Sequence, residues 1–108
     1  MEILLLDKLA KNGFKAHDIF LEITRLEEEF FPEYPYTVND IELFHKRSSG
    51  HSLILIGNNK VCGYLIPILF DSKDYLQILT VAVDKESQKR GYGTSLFKHV
   101  KKQPENSN

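Results

Sequence analysis

The hydrophobic and polar positions in the first half of the chain follow helical periods. Between residues 17 and 31 apolar residues recur at spacings of three and four, which predicts an amphipathic helix. The apolar positions are Ile19, Phe20, Ile23, Leu26 and Phe30. Pro32 and Pro35 end this pattern inside an aromatic segment, FFPEYPY. Thr37, followed three residues later by Asp40, predicts a capping box and a second helix over residues 38–47.

Residues 2–12 fit two structures. The run from Ile3 to Leu6 has the composition of a short strand. The same stretch, extended through Leu9 and Ala10 and closed by Lys11-Asn12-Gly13, has the form of a helix with a glycine C-cap. Local signals favour the helix, and the strand stays open as the alternative.

The middle of the chain predicts a β-hairpin. Residues 53–56 are an apolar run, and the next four residues, Gly-Asn-Asn-Lys, form a turn because Gly and Asn tolerate positive φ. Residues 61–69 are the return strand. Within it, Pro67 indicates an edge or a bulge, and Gly63 indicates a bulge or a close approach of two backbones.

The last third predicts a strand, a polar loop and a helix. A turn at residues 71–74 leads to a strand over residues 75–83, whose apolar side chains on both faces favour a central position in a sheet. Residues 84–90 form the polar loop. A helix opens at Gly91 or Tyr92, and the backbone N–H groups of such a loop and helix start can bind an anion. Taken alone, the glycines suit close packing of the helix on the strand better than ligand binding.

This order of elements predicts an α+β fold, in which helices flank a mixed, mostly antiparallel sheet. With 108 residues the chain has room for one domain, which we place at residues 1–102, followed by a disordered tail at 103–108.

The composition of the sequence argues against several classes of function. The net charge of −1 offers no basic field for nucleic acid, and no apolar run is long enough to cross a membrane. The N-terminus lacks the basic flank of a signal peptide. A single cysteine, Cys62, suits a reducing compartment, so we expect the cytoplasm, with the nucleus as the alternative. The four histidines lack ligand spacing, so no metal site is expected.

The stretch from residue 81 to 100 resembles motif A of the GNAT acetyltransferase superfamily. The motif is Gln or Arg-x-x-Gly-x-Gly or Ala after a strand that ends in V-x-V, and the stretch reads VAVDKESQKRGYGTSLFKHV. The segment EEFFPEYPYTVNDI is similar to the substrate-entrance helices of the N-terminal acetyltransferase branch, and GYG with its strand is similar to the histone acetyltransferase branch.

The resemblance implies acetyl-CoA as co-substrate and a primary amine as acceptor: a protein N-terminus, a lysine or a small amine. By the same resemblance, backbone groups of Val81 and Val83 would bind the pantetheine arm. The implied binding residues are Val81, Ala82, Val83, Gln88, Lys89, Arg90, Gly91, Tyr92, Gly93 and Thr94. The N–H groups from Gln88 to Thr94 would hold the diphosphate.

The family's catalytic groups are harder to find in this sequence. Several branches place a Glu or Tyr four residues before the position of Val81, where this chain has Gln77, which cannot accept a proton. The alternatives are Tyr75 on the same strand and Glu33, Tyr34 or Tyr36 in the aromatic segment. The acidic residues 27–29 and Glu33 favour a cationic acceptor, and a solvated helix face explains them equally well.

A complete GNAT fold continues after the motif A helix, and we expect this chain to be truncated there. The strand at residues 75–83 would then expose an apolar edge, which predicts a homodimer or a partner that covers it. Two functions follow: an N-acetyltransferase, or a non-catalytic half-domain that binds CoA or a protein.

Overall fold

The computed structural model describes residues 1–69 and 76–101. The helices and strands follow in chain order as β1 (Glu2–Leu5), α1 (Leu6–Lys11), α2 (Ala16–Phe30), α3 (Val38–Arg47), β2 (Leu53–Gly57), β3 (Lys60–Leu69), β4 (Leu76–Val83), α4 (Lys85–Gln88) and α5 (Tyr92–Lys101). The predicted turn at 71–74, the candidate base Tyr75 and the predicted tail at 103–108 lie outside the described residues.

The strongly periodic segments fold as predicted. Helices α2 and α3 begin and end within one residue of their predicted bounds, and Thr37 and Asp40 form the predicted capping box. Residues 2–11 contain both of the alternatives, a four-residue strand followed directly by a helix. The expectation of a single helix there was wrong because β1 pairs with β2, a contact that local sequence signals do not encode.

The described strands form one antiparallel sheet in the order β1-β2-β3-β4, which confirms the α+β fold class. Two bulges interrupt it. In β3 the register against β2 shifts beside Gly63, whose backbone also lies so close to β4 that an added Cβ would be 3.0 Å from the Ala82 carbonyl oxygen. Within the described residues β4 pairs on one side only, with β3, so it lies at an edge rather than in the predicted central position.

Each face of the sheet carries its own hydrophobic cluster. On one face Tyr64, Ile66 and Ala82 pack against α1, α2 and α3. On the other face Leu65 and Val83 pack against α5 through Leu96. The alternation of side chains along β3 and β4 therefore holds the helices that carry the aromatic segment on one side of β4 and α5 on the other.

Candidate functional site

A cleft of about 850 Å³ opens between β4 and the loop that joins α2 to α3. We call residues 31–37 the aromatic loop. The cleft is lined by Glu27, Phe31, Pro32, Glu33, Tyr34, Tyr36, Ile78, Leu79, Thr80 and Val81. Pro32 and Pro35 prevent the loop from continuing α2, and Tyr36 is held by an edge-on contact with Phe44 at a ring-centroid distance of 4.8 Å.

A β-bulge shapes the β4 wall of this cleft. Ile66 pairs with Thr80 and the next residue, Pro67, pairs with Ile78, so Leu79 is the extra residue. Proline cannot donate to the ladder, which is why the register breaks at Pro67, as the sequence predicted. The bulge bends the strand and turns its backbone at the position that faces the aromatic loop.

A buried carboxylate joins the walls of the cleft. Glu27 is only 1% exposed, and its Oε2 atom accepts hydrogen bonds from the Tyr64 hydroxyl and, at 2.6 Å, from the Thr80 hydroxyl. Its Oε1 atom accepts one from the Tyr36 backbone N–H at 3.2 Å. Burial and the Glu27 carboxylate both raise the pKa of Tyr64, so this hydroxyl stays protonated and keeps donating.

The burial of Glu27 corrects the sequence interpretation, which grouped it with the exposed acidic residues 28 and 29. Glu27 lies four residues after Ile23 and seven after Phe20, on the apolar face of α2. That spacing was the available signal. The donors that make its burial tolerable come from β3, β4 and the aromatic loop, which the spacing does not reveal.

The candidate bases differ in their placement. Glu33 and Tyr34 line the cleft from the aromatic loop, and Tyr34 is 88% exposed. Gln77 is exposed on β4, opposite Ile68. Tyr75 lies outside the described residues. The structure therefore brings three of the four alternatives, Glu33, Tyr34 and Tyr36, to the same cleft as the bulged strand.

The predicted polar loop contains a helical turn, α4. Asp84 caps this turn by accepting a hydrogen bond from the Ser87 N–H at 2.8 Å, a local capping signal that the sequence interpretation missed. The N–H groups of residues 88–91 donate to carbonyls of the preceding turn. Gly91 follows with φ of +80°, a conformation that favours glycine, and α5 begins at Tyr92.

The first turn of α5 offers unpaired backbone donors. In the part of the chain that the structure describes, the N–H groups of residues 92–94 have no backbone acceptor, as expected for a helix start. They lie at the N-terminus of α5, which is the positive end of the helix dipole. Lys89 and Arg90 are exposed immediately before them. This geometry suits a phosphate group.

The open edge of β4 leads from the cleft toward α5. The Asp84 N–H bonds to the Cys62 carbonyl on β3, so by the alternation of an extended strand the backbone groups of Val83 and Val81 point away from β3. The Gln88 side chain donates to the Val83 carbonyl oxygen at 2.7 Å on that side. Ala82 is buried and faces the helices α2 and α3.

Other chemistry is sparse in the described residues. Cys62 is buried, and burial and the nearby Asp84 carboxylate raise the pKa of its thiol, which suits packing rather than nucleophilic attack. Residues 1–69 and 76–101 contain no group of three or more His, Cys, Asp or Glu side chains that could hold a metal ion. No helix in those ranges is long and apolar enough to cross a membrane.

The Asp84 cap predicts a pH-dependent stability. Burial alone would raise the pKa of Asp84, but hydrogen bonds from Ser87 and Cys62 and the charge of Lys60 lower it below its usual value. A carboxylate with a lowered folded-state pKa stabilises the fold above its unfolded pKa, and this stabilisation is lost as the pH falls through the folded pKa. We expect Asp84→Ala to reduce the free energy of unfolding at pH 7 by about 0.5–2 kcal/mol.

Urea unfolding curves recorded between pH 7 and pH 3 measure this effect. The difference between the wild type and Asp84→Ala should shrink below a pH of about 4. Asp84→Asn keeps a capping oxygen, so it should destabilise less than alanine does at pH 7. An Asp84→Ala deficit that is constant over the whole range would contradict a cap that depends on the charge.

Comparison with solved structures places this architecture among acetyltransferases. The chain is similar to Ard1 from Thermoplasma volcanium, with a TM-score of 0.70 and 17% identity over 92% of this chain and 60% of that one. It is similar to a ribosomal-protein-alanine N-acetyltransferase from Escherichia coli, with a TM-score of 0.69 and 18% identity over 92% of this chain and 56% of that one.

A GNAT family acetyltransferase from Staphylococcus aureus is also similar, with a TM-score of 0.58 and 24% identity over 94% of this chain and 76% of that one. At these identities the likeness establishes the fold, and the chain spans about 60% of the length of the first two structures. No curated protein resembles the sequence closely enough to count as a relative.

The sequence itself carries the family assignment. The profile of the Acetyltransferase (GNAT) family matches residues 16–107, which include α2, the aromatic loop, the hairpin, β4 and α5. This match covers most of the chain and confirms the resemblance of motif A, and with it the general association with acetyl transfer and acetyl-CoA. The chain belongs to the GNAT family of acetyltransferases.

Proposed function

We propose that the chain is an N-acetyltransferase that moves the acetyl group of acetyl-CoA to a primary amine, carried by a protein N-terminus, a lysine or a small molecule. The observation that carries this proposal is the continuity of the cleft with the edge of β4. Val81 is part of the β4 wall of the cleft, and its backbone N–H and carbonyl groups point toward the open edge of β4. An acyl donor on that edge would thus meet an acceptor in the cleft.

The donor side of the proposal uses the backbone. The backbone groups of Val81 and Val83 would hold the pantetheine arm in the manner of an added strand, with Ala82 between them. The N–H groups of Tyr92, Gly93 and Thr94 would hold the diphosphate, since those of residues 88–91 already have backbone acceptors. Gly91 provides the turn into α5, Gln88 holds the end of β4 through the Val83 carbonyl, and Lys89 and Arg90 add positive charge.

The acceptor side uses the cleft. A neutral amine nitrogen attacks the thioester carbonyl carbon, the C–N bond forms, the C–S bond breaks, and the CoA thiolate leaves. Before the attack, the ammonium form of the acceptor loses a proton. We assign the Glu33 carboxylate as the base that accepts this proton, because Glu33 is a candidate base that lines the cleft. As the intermediate collapses to the amide, the nitrogen loses a further proton. The CoA thiolate takes up one proton, so the number of protons balances.

The open edge of β4 favours one alternative. Within the described residues β4 pairs on one side only, which also suits a half-domain that binds CoA or a protein partner without catalysis. In that role the open edge of β4 is the interaction surface, for a second copy of this chain or another protein.

Two measurements separate these functions. Titration calorimetry with acetyl-CoA should detect binding for the enzyme and for a CoA-binding half-domain. No binding at millimolar ligand would refute both of these and leave only a half-domain that binds a protein. A thiol-release assay with peptides, free lysine and polyamines as acceptors should detect turnover only for the enzyme. Binding without amine-dependent release of CoA would favour the half-domain.

A further inference from the structure

The network around Glu27 connects three separate elements at the cleft. The carboxylate comes from α2, and its donors are the Tyr64 hydroxyl on β3, the Thr80 hydroxyl on β4 and the Tyr36 amide in the aromatic loop. A buried charge is costly unless it is hydrogen-bonded, so the three donors and the carboxylate are held together as one unit. Among the described side chains, Glu27 forms no ion pair that would compete for this role.

The network is located where the geometry of the cleft is set. Thr80 directly follows the extra residue of the β4 bulge, and Tyr36 lies at the end of the aromatic loop. The two oxygens of one carboxylate therefore fix the distance between opposite walls of the cleft. The backbone of β4 and the aromatic loop cannot move apart without leaving a buried acceptor or donor unpaired.

We infer that Glu27 is a positioning residue, which acts through Thr80 and Tyr36 to set the separation of the bulged strand and the aromatic loop. The catalytic role of Glu27 rests on the proposed function, in which the aromatic loop lines the acceptor site and β4 binds the acyl donor. A carboxylate that sets their separation controls how closely the amine approaches the thioester, and small misplacements of reacting groups reduce rates strongly. Glu27 itself touches neither reactant in this scheme.

The kinetic test uses variants that change the network with little change in volume. Thr80→Val and Glu27→Gln should lower kcat by about tenfold or more and raise KM for the amine, while the calorimetric Kd for acetyl-CoA stays within about twofold. Thr80→Ser keeps the hydroxyl and should retain most of kcat. Glu42→Gln alters an exposed carboxylate on α3 and should behave as the wild type does.

Equal losses in Thr80→Val and Thr80→Ser would overturn the inference, because the hydroxyl would then not matter. An unchanged kcat and an unchanged amine KM in Glu27→Gln would also overturn it. A parallel loss of acetyl-CoA affinity in every network variant would overturn it too, because it would show a general loss of structure.

Amide hydrogen exchange tests the inference without turnover, so it remains testable if the proposed enzymatic function fails. In Glu27→Gln, exchange should become faster at the amides of Tyr36 and Thr80 together, by about tenfold or more, while residues 53–57 of β2 keep the wild-type rate. Faster exchange in only one of the two walls, or equally in β2, would refute the coupling. Glu42→Gln again provides the control.

Discussion

Gly93→Glu is expected to weaken acetyl-CoA binding by about a hundredfold. In the proposed site the first-turn amides of α5 hold the diphosphate, and a carboxylate at this position places like charge beside it. One unit of like charge a few ångströms away in a partly screened site costs about 3 kcal/mol, which corresponds to about two powers of ten in Kd.

The substitution is designed to leave the fold intact. A Cβ at Gly93 would meet only the Val83 side chain, at an ordinary contact distance of 3.9 Å. Glutamate in the first turn of a helix is favourable, and glycine is a poor helix former, so α5 should not lose stability. Gly91 is a worse choice because its φ of +80° would strain any other residue.

Gly93→Gln is the matched control, because it adds the same volume without the charge. Titration calorimetry with acetyl-CoA should give a Kd for Gly93→Gln much closer to that of the wild type than to that of Gly93→Glu. The gap between the two variants should narrow at high salt, since exposed charges are screened. Equal affinities of the glutamate and glutamine variants for acetyl-CoA at low salt would show that the diphosphate does not bind at the first turn of α5.

Periodic and capped segments were predictable from the sequence because their signals are local. The apolar stripe of α2, the Thr37–Asp40 capping box and the Gly-Asn turn each act within a few residues. Motif A was recognisable for the same reason, since the strand, the glycines and α5 are contiguous in the chain. These features carry the fold class and the family.

The features that the sequence did not reveal depend on distant partners. The strand β1 forms because residues 2–5 meet residues 53–56, and four residues alone cannot specify that pairing. The burial of Glu27 depends on hydroxyls 37 and 53 residues further along the chain. Pro67 predicted an edge or a bulge, and the structure has a bulge, whose consequence for the shape of the cleft appears on the opposite strand, at Leu79.

The largest effect on turnover is expected for Glu33→Gln, which should reduce kcat by about 10²–10⁴-fold if Glu33 accepts the amine proton. Glu33 lines the cleft and is exposed on the aromatic loop, and it is not one of the hydrogen-bond donors that hold Glu27. The substitution keeps the shape of the side chain and removes only its ability to take up a proton. Folding and the affinity for acetyl-CoA should therefore be unchanged.

The pH dependence of the deficit distinguishes proton transfer from substrate attraction. The test uses a peptide whose only amine is its N-terminal α-amine. An α-amine has a pKa of about 8, so raising the pH toward 9 makes most of this acceptor neutral and reduces the need for a base. The kcat deficit of Glu33→Gln, measured by thiol release at saturating substrates, should thus shrink with rising pH. Glu42→Gln, an exposed change on α3, should match the wild type throughout.

A higher amine KM with an unchanged kcat would show instead that Glu33 attracts a cationic acceptor, because that pattern means loss of binding common to the ground and transition states. Loss of kcat that is constant from pH 7 to pH 9 would rule out proton transfer to Glu33. In that case Tyr34, on the same loop, becomes the group to replace next, with phenylalanine as the matched change in volume.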